Sequence, residues 1–415
     1  MQKLNGSIVL NLVGIKFLKM PELEEFAEAL FGQLSVEINE EKEIADLAKR
    51  IQEDGNFDVS FESLEKASSE IFPAIKSRLE EFSGFDVSDK IILESADLDE
   101  FKKLKGRKVF ASKDARDFVD CLFLAVSNED KDGIVKLIKE DMAKYFVYST
   151  YAIQYISKIS TTYGDYLDSK IFLNRFILGS YPQIILYKQG PPFANKFDSV
   201  NSGYMGALKM TILEELIHSQ QEKLHISNKD AAMQVNAINE ELAKIILNLK
   251  DSAASSLYDY MQLQTVPDDF PIAKRANLFF MLNPDNFIVN VLGPDVMTYT
   301  KIEIDPKISE KIPELPDIYQ RWLKPIQTHH AAFTTMEGMA EFMVEGILNE
   351  DRDFQNYLTT FMGTDMSAYT VRKSLGRDFT KKIYEKFSKD TFEILLYNPP
   401  TTKELKEPEQ FLNRL

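Results

Sequence analysis

The sequence predicts a mainly helical α+β protein. Apolar residues recur at helical spacing through most of the chain, and strand-like runs are few and short. Hydrophobic residues make up 44% of 415 positions, enough for one large core or two smaller ones.

The run Ser7 to Gly14 reads as a buried strand. It is a poor signal sequence, because Asn11 interrupts it and Lys16 and Lys19 follow at once. Pro21-Glu-Leu-Glu-Glu25 announces a helix whose Leu23, Phe26 and Leu30 share one face. Glu40 to Glu53 and Ser63 to Phe82 read as helices with charged, solvated outer faces, and Arg107 to Ser112 as a short strand. Residues 1–112 are thus expected to form an amino-terminal α/β region, with residues 113–415 as a second domain.

From Asp114 the pattern is helical to about Phe176. It includes Cys121, expected to be a buried small hydrophobe within Phe118 to Val126. A single cysteine rules out an intrachain disulfide and a Cys-based zinc site. Pro182 to Tyr187 reads as a strand and the Gly/Pro/Asn-rich Gly190 to Gly206 as a long loop. A helix follows from Ala207 to about His225, with Leu213, Leu216, Ile217 and Leu224 as its apolar stripe, then a helix from Lys229 to Lys250. Asn277 to Leu282 and Phe287 to Ile304 suggest a hairpin around Asn283-Pro-Asp-Asn286, and the last third is helical again.

Forty-nine Lys and Arg against 65 Asp and Glu leave a net charge of −16, which repels nucleic acid and anionic bilayers. No stretch of roughly 20 apolar residues is available to span a membrane. A cytoplasmic protein is expected.

The chemistry concentrates in Thr211-Ile-Leu-Glu-Glu-Leu-Ile-His218-Ser-Gln-Gln221. Glu214 and His218, four apart, lie one above the other on a helix, with Glu215 beside them. This is the spacing of the H-E-x-x-H helix, in which ligands at i and i+4 grip a metal and the intervening Glu is the general base. A second patch, Phe333-Thr-Thr-Met-Glu-Gly-Met-Ala-Glu-Phe-Met343, sets Glu337 and Glu341 four apart, with Gly338 and Ala340 allowing close backbone approach to a neighbour.

Four blocks in order carry a resemblance: Glu214 to Gln221; Glu337-Gly-Met-Ala340; Gly376-Arg-Asp-Phe379 with Tyr384, preceded by Tyr369; and Pro399-Pro-Thr-Thr-Lys-Glu404 with Pro408-Glu-Gln-Phe411. Over roughly residues 180–415 the chain resembles gluzincin-type metallopeptidases with a peptidase-MA-like domain. Their motifs read H-E-L-x-H-A-x-Q, E-G-x-A, Y-x-x-G-x-x-F and P-P-x-S-T-E. The resemblance implies a zincin-like domain with a small sheet over the active-site helix and hydrolysis of a peptide or protein substrate. In this chain it makes Glu215 the general base, His218, Glu337 and an atypical Glu214 the ligands of one divalent metal, and Tyr369 a donor to a tetrahedral oxyanion. Zinc is the metal the family implies, and Mn or Fe suits the extra oxygen ligand.

Three departures stand out: Glu214 replaces the first zinc-binding histidine, the gap from His218 to Glu337 is long, and no histidine precedes Pro408. A carboxylate at 214 brings the formal charge of a metal-loaded site near zero and weakens hydrolysis. It also leaves Glu341 without an imidazole N–H to accept, so Glu214 and Glu341 should share a proton or separate. Four carboxylates, at 214, 215, 337 and 341, would crowd one cleft and repel each other without a cation. The rival reading is a silent zincin scaffold that binds a protein partner. A di-iron reading of Glu215-x-x-His218 and Glu222-x-x-His225 is disfavoured, because such pairs come from different helices and these two read as one helix. On that helix His225 lies two turns, about 10 Å, from His218. His329 and His330 are remote substitutes for the missing ligand, and Trp322, Met336, Met339 and Met343 look like core.

Overall fold

The computed structural model describes residues 59–109, 112–128, 130–149, 162–263, 271–284, 302–360 and 368–415, with scattered helical positions between 43 and 53. The expected strand at Ser7 to Gly14 and the helix opened by Pro21 lie outside the described residues, as does most of the second hairpin arm. The protein is mainly helical with one small mixed sheet, the α+β class expected. No described helix is long and apolar enough to cross a membrane.

Helix α1 (Leu64–Ser83) starts where Ser63 accepts a hydrogen bond from the Lys66 amide and stops at Gly84, whose φ of 76° is left-handed. Strand β1 (Ile92–Ala96), helix α2 (Leu98–Val109) and helices α3 (Lys113–Ser127) and α4 (Lys131–Glu140) follow. The short strand expected at Arg107 to Ser112 is corrected through Val109, because those residues finish α2. Cys121 is exposed on α3, since that helix buries Phe118, Val119 and Leu122 instead.

Strands β2 (Gly164–Leu167) and β3 (Lys170–Asn174) form a hairpin inside a stretch that reads as helical in sequence. Its two loop residues, Asp168 and Ser169, have φ of 51° and 62°, the backbone twist a two-residue hairpin needs. The strand order is β1-β3-β2, with β1 parallel and β2 antiparallel to the central β3.

Helix α5 (Arg175–Gln189) replaces the strand expected at Pro182 to Tyr187. Asn174 caps it by accepting from the Phe176 amide, and an apolar run this short does not distinguish a helix from a strand. Helix α6 (Ala194–Ser219) takes in most of the segment read as a loop. A Cβ on Gly206 would lie 2.0 Å from the Asp353 carbonyl oxygen, so this glycine serves helix packing, not a turn. The chain then breaks at Gln220 and Gln221, and α7 (Glu222–Leu247) begins a new helix.

Helices α8 (Asp251–Tyr260) and α9 (Pro271–Leu282) follow, and α9 contains the residues read as the first hairpin arm. The longest helix, α10 (Leu315–Leu348), carries Pro325 in its interior. After it come α11 (Arg352–Thr360), α12 (Ala368–Phe387), α13 (Asp390–Tyr397), α14 (Thr402–Lys406) and α15 (Pro408–Arg414).

Among the described residues, α10 belongs to both of the two largest apolar cores. Ile318, Trp322 and Ile326 pack with α3, α4, α7, α8 and α9, whereas Met339, Met343 and Ile347 pack with α1, α5, α6, α12 and β3. Leu64, Ile75 and Leu79 of α1 therefore share a core with Leu213 and Leu216 of α6.

Candidate metal centre

Three helices each contribute two residues spaced four apart: Glu214 and His218 from the last turns of α6, Glu337 and Glu341 from α10, and Lys373 and Arg377 from α12. The crossing of α10 and α12 is a backbone contact. A Cβ on Gly338 would fall 2.1 Å from the Gly376 carbonyl carbon, and one on Gly376 would fall 2.0 Å from the Thr334 carbonyl oxygen. The close approach expected at Gly338 is thus met by Gly376. It brings the face of α12 bearing Lys373, one turn before Gly376, alongside Glu337.

Glu214, His218 and Glu337 converge as expected, each offering a ligand atom within 4.8 Å of the others; no other such group of His, Cys, Asp and Glu occurs among the described residues. His218 and Glu337 are buried and Glu214 half-buried. The orientation of His218 follows from its neighbours. Gln221 donates its amide N–H to the Met336 carbonyl at 3.1 Å and so turns its oxygen to His218 Nδ1, 2.7 Å away. An amide oxygen only accepts, so Nδ1 carries a proton, and Nε2 is the ring nitrogen beside Glu337, 3.8 Å from its Oε1. Metal-binding imidazoles are commonly oriented this way through the other ring nitrogen. Gln221 is fully buried and sits in the break between α6 and α7 that the sequence reading overlooked.

Glu215 is buried one residue further round α6, beneath the edge strand of the sheet. A Cβ on Gly164 of β2 would stand 2.5 Å from Thr211 Cγ2 and 3.5 Å from Glu215 Cγ. The small sheet therefore rests on the helix that bears the candidate ligands, as expected.

The expected carboxylate repulsion is answered by cations of α12. Lys373 Nζ lies 2.5 Å from Glu214 Oε1 and 3.4 Å from Glu337 Oε2, while Arg377 reaches Glu341 at 3.4 Å and Glu345 at 3.0 Å. Glu214 and Glu341 thus each have their own basic partner. Burial pushes the Glu341 carboxyl above its usual range, against the pull of Arg377 and Lys373. Neither cation was foreseen, although the 373/377 spacing repeats that of 337/341.

His225 is nearer than expected. Because the helix breaks, its ring centroid is 5.8 Å from that of His218, edge to face, and the two Glu-x-x-His pairs lie on different helices. His225 is nevertheless not in the triad. His330 is buried two turns before Glu337, its Nδ1 3.0 Å from the Arg372 guanidinium. Burial, followed by the neighbouring His329 and Arg372, holds its imidazole well below the usual range. Tyr369 lies on the first turn of α12, with its side chain outside the described residues.

The last blocks build scaffold. Thr401 and Glu404 form a reciprocal capping box at α14, Glu404 also accepts from Arg414 Nε at 2.7 Å, and Phe379 meets Phe411 edge to face at 5.2 Å. Tyr384 stacks on Phe82, with ring centroids 5.9 Å apart. Trp322, Met336, Met339 and Met343 are core, as expected.

Two carboxylates and one imidazole are a donor set that suits a divalent cation. Coordination at about 2.0–2.2 Å places tetrahedral ligands about 3.4 Å apart, so the 3.8 Å between His218 and Glu337 needs only a small closure. Comparison with protein-family models, with curated proteins and with solved structures finds no match.

Proposed function

We propose that this protein is a metal-dependent peptide hydrolase of gluzincin type with an atypical Glu-Glu-x-x-His helix. The observation that carries this reading is the orientation of His218: a buried imidazole held by Gln221 through Nδ1, with Nε2 beside Glu337 and within the cluster that includes Glu214. In this reading Glu214, His218 and Glu337 hold the metal, zinc by resemblance and Mn or Fe by the oxygen content of the set. The ion supplies Lewis-acid polarisation of the scissile carbonyl and acidifies water. Glu215, outside the ligand set, accepts the proton of the attacking water and returns it to the leaving amine. Tyr369 donates to the oxyanion. Strand β2 pairs only with β3 among the described residues, so its outer edge offers backbone groups to an extended peptide substrate.

One observation favours the second reading, a silent zincin-like scaffold that binds a protein partner. The Lys373 ammonium already neutralises part of the carboxylate charge a metal would use.

The test is metal analysis of protein purified without chelator, with casein hydrolysis by the parent and by Glu215→Gln. The hydrolase reading expects close to one equivalent of metal in both proteins and proteolysis in the parent alone. Metal without proteolysis supports the scaffold, and a metal-free protein that stays inert when zinc or manganese is added refutes the hydrolase.

A further inference from the structure

We infer that Lys373 is the resident counter-ion of the triad, and that a divalent metal enters by displacing its ammonium group from Glu214 and Glu337. This rests on the metal-centre reading above and adds how the site is loaded. The Lys373 nitrogen sits 2.5 Å from one carboxylate and 3.4 Å from the other, and these same carboxylates are two of the three candidate ligands. A carboxylate hydrogen-bonded to an ammonium presents fewer lone pairs to a metal, and the ammonium and the incoming cation repel each other. The two carboxylates and the Lys373 ammonium carry −2 and +1, or −1 in total. A divalent ion that entered beside the lysine would raise this to +1, whereas exchange for the lysine leaves the two carboxylates and metal at zero.

The position of the lysine is built into the fold. Gly338 and Gly376 bring the backbones of α10 and α12 into contact one turn from Lys373, so the ammonium is delivered by a fixed helix crossing. The side chain has an exit: Lys373 retains about a fifth of its accessible surface, against about a tenth for Glu337. Lysine also has a long flexible stem, which lets the head group leave without moving the helix. Arg377, one turn on, is a shared partner of Glu341 and Glu345, so the release of Lys373 leaves these neighbouring acids with a cation of their own.

The experiment is calorimetric titration of chelator-treated, full-length protein with ZnCl₂ and with MnCl₂, comparing the parent with Lys373→Met, Lys373→Gln and Lys373→Arg. Lys382→Met removes an ion pair of 2.9 Å on the same helix without touching the triad and serves as the control. Lys373→Met and Lys373→Gln are expected to bind at least about tenfold more tightly, the scale on which groups supporting a metal site act. They should also show a larger metal-induced rise in melting temperature. Lys373→Arg and Lys382→Met should stay within about threefold of the parent, on the same scale. Lys373→Gln keeps a polar group in the cleft and covers failure of the methionine variant to fold. A parent that binds no metal while both neutral variants do also supports the inference. Equal or weaker binding by the neutral variants, with a parent that does bind, overturns it and leaves the metal centre standing. If none of the proteins binds metal, the metal centre and the inference fall together.

Discussion

Gly338→Ala should destabilise the protein substantially, for a reason set by one distance. The added Cβ would lie 2.1 Å from the Gly376 carbonyl carbon, 2.2 Å from its Cα and 2.4 Å from the Arg377 nitrogen, all backbone atoms that cannot rotate away. Ordinary contact begins at 3.4 Å, so α10 and α12 must separate by roughly 1.3 Å, the difference between these two distances. Overpacking of this kind costs about 1–3 kcal/mol, and a rigid backbone neighbour places this site at the upper end. The ordinary gain of replacing a mid-helix glycine, roughly 0.5–1 kcal/mol, offsets only part of it. Gly179→Ala isolates that gain, because in α5 a Cβ would meet only Arg175 Cγ at 3.5 Å; it should stabilise by about 0.5–1 kcal/mol. Urea unfolding of both variants is the assay. A Gly338→Ala protein as stable as the parent would refute the backbone contact and, with it, the account of how Lys373 reaches Glu337.

Zn²⁺ or Mn²⁺ should raise the melting temperature of the parent and leave Glu337→Gln unchanged; equal shifts in both would remove Glu337 from the ligand set. Glu214→His restores a neutral ligand and removes the strongest partner of Lys373, so zinc should bind at least about tenfold more tightly with increased casein hydrolysis. Glu214→His with Glu215→Gln should bind zinc and stay inactive. Burial holds the His330 imidazole well below its usual range in the folded state, while the unfolded chain takes up the proton around the ordinary histidine value, so its contribution is full only well above pH 6.5 and falls as the pH drops through that range. His330→Gln should show a shallower pH dependence in urea unfolding on the acid side; an unchanged slope would place the proton uptake elsewhere.

Glu214 with His218 was legible in sequence because a helix converts i, i+4 spacing directly into a shared face, whereas Glu337 was placed beside them only by the resemblance of its Glu-Gly-x-Ala block. The supporting cations were not legible, because Lys373 meets Glu214 only across 159 positions of chain and through a helix crossing no local pattern encodes. Gln221 stood in the quoted motif, yet its role depends on the end of α6 at Ser219, and no glycine or proline marks that break. The β2–β3 hairpin escaped for a related reason: Asp168-Ser169 lacks the glycine that announces such a turn, and β3 buries only a three-residue apolar run. Pro182 and the glycines of α6 misled in the other direction. They read as punctuation, whereas the fold absorbs Pro182 into α5 and uses Gly206 to seat a neighbouring helix.

Helix α10 behaves as a jointed beam. Its 34 residues span about 51 Å, with each half embedded in a different core. Pro325 has no N–H to give the Arg321 carbonyl, so the hydrogen-bond ladder lacks a rung between Arg321 and Pro325, just before Ile326, the last residue of the helix in the first core, with Ala331 the first in the other. Bending of so long a helix is easiest at that missing rung. Glu337, three turns further along, lies on the segment held against α12 by Gly338 and Gly376, while α7, which starts beside Gln221, runs from the triad into the first core.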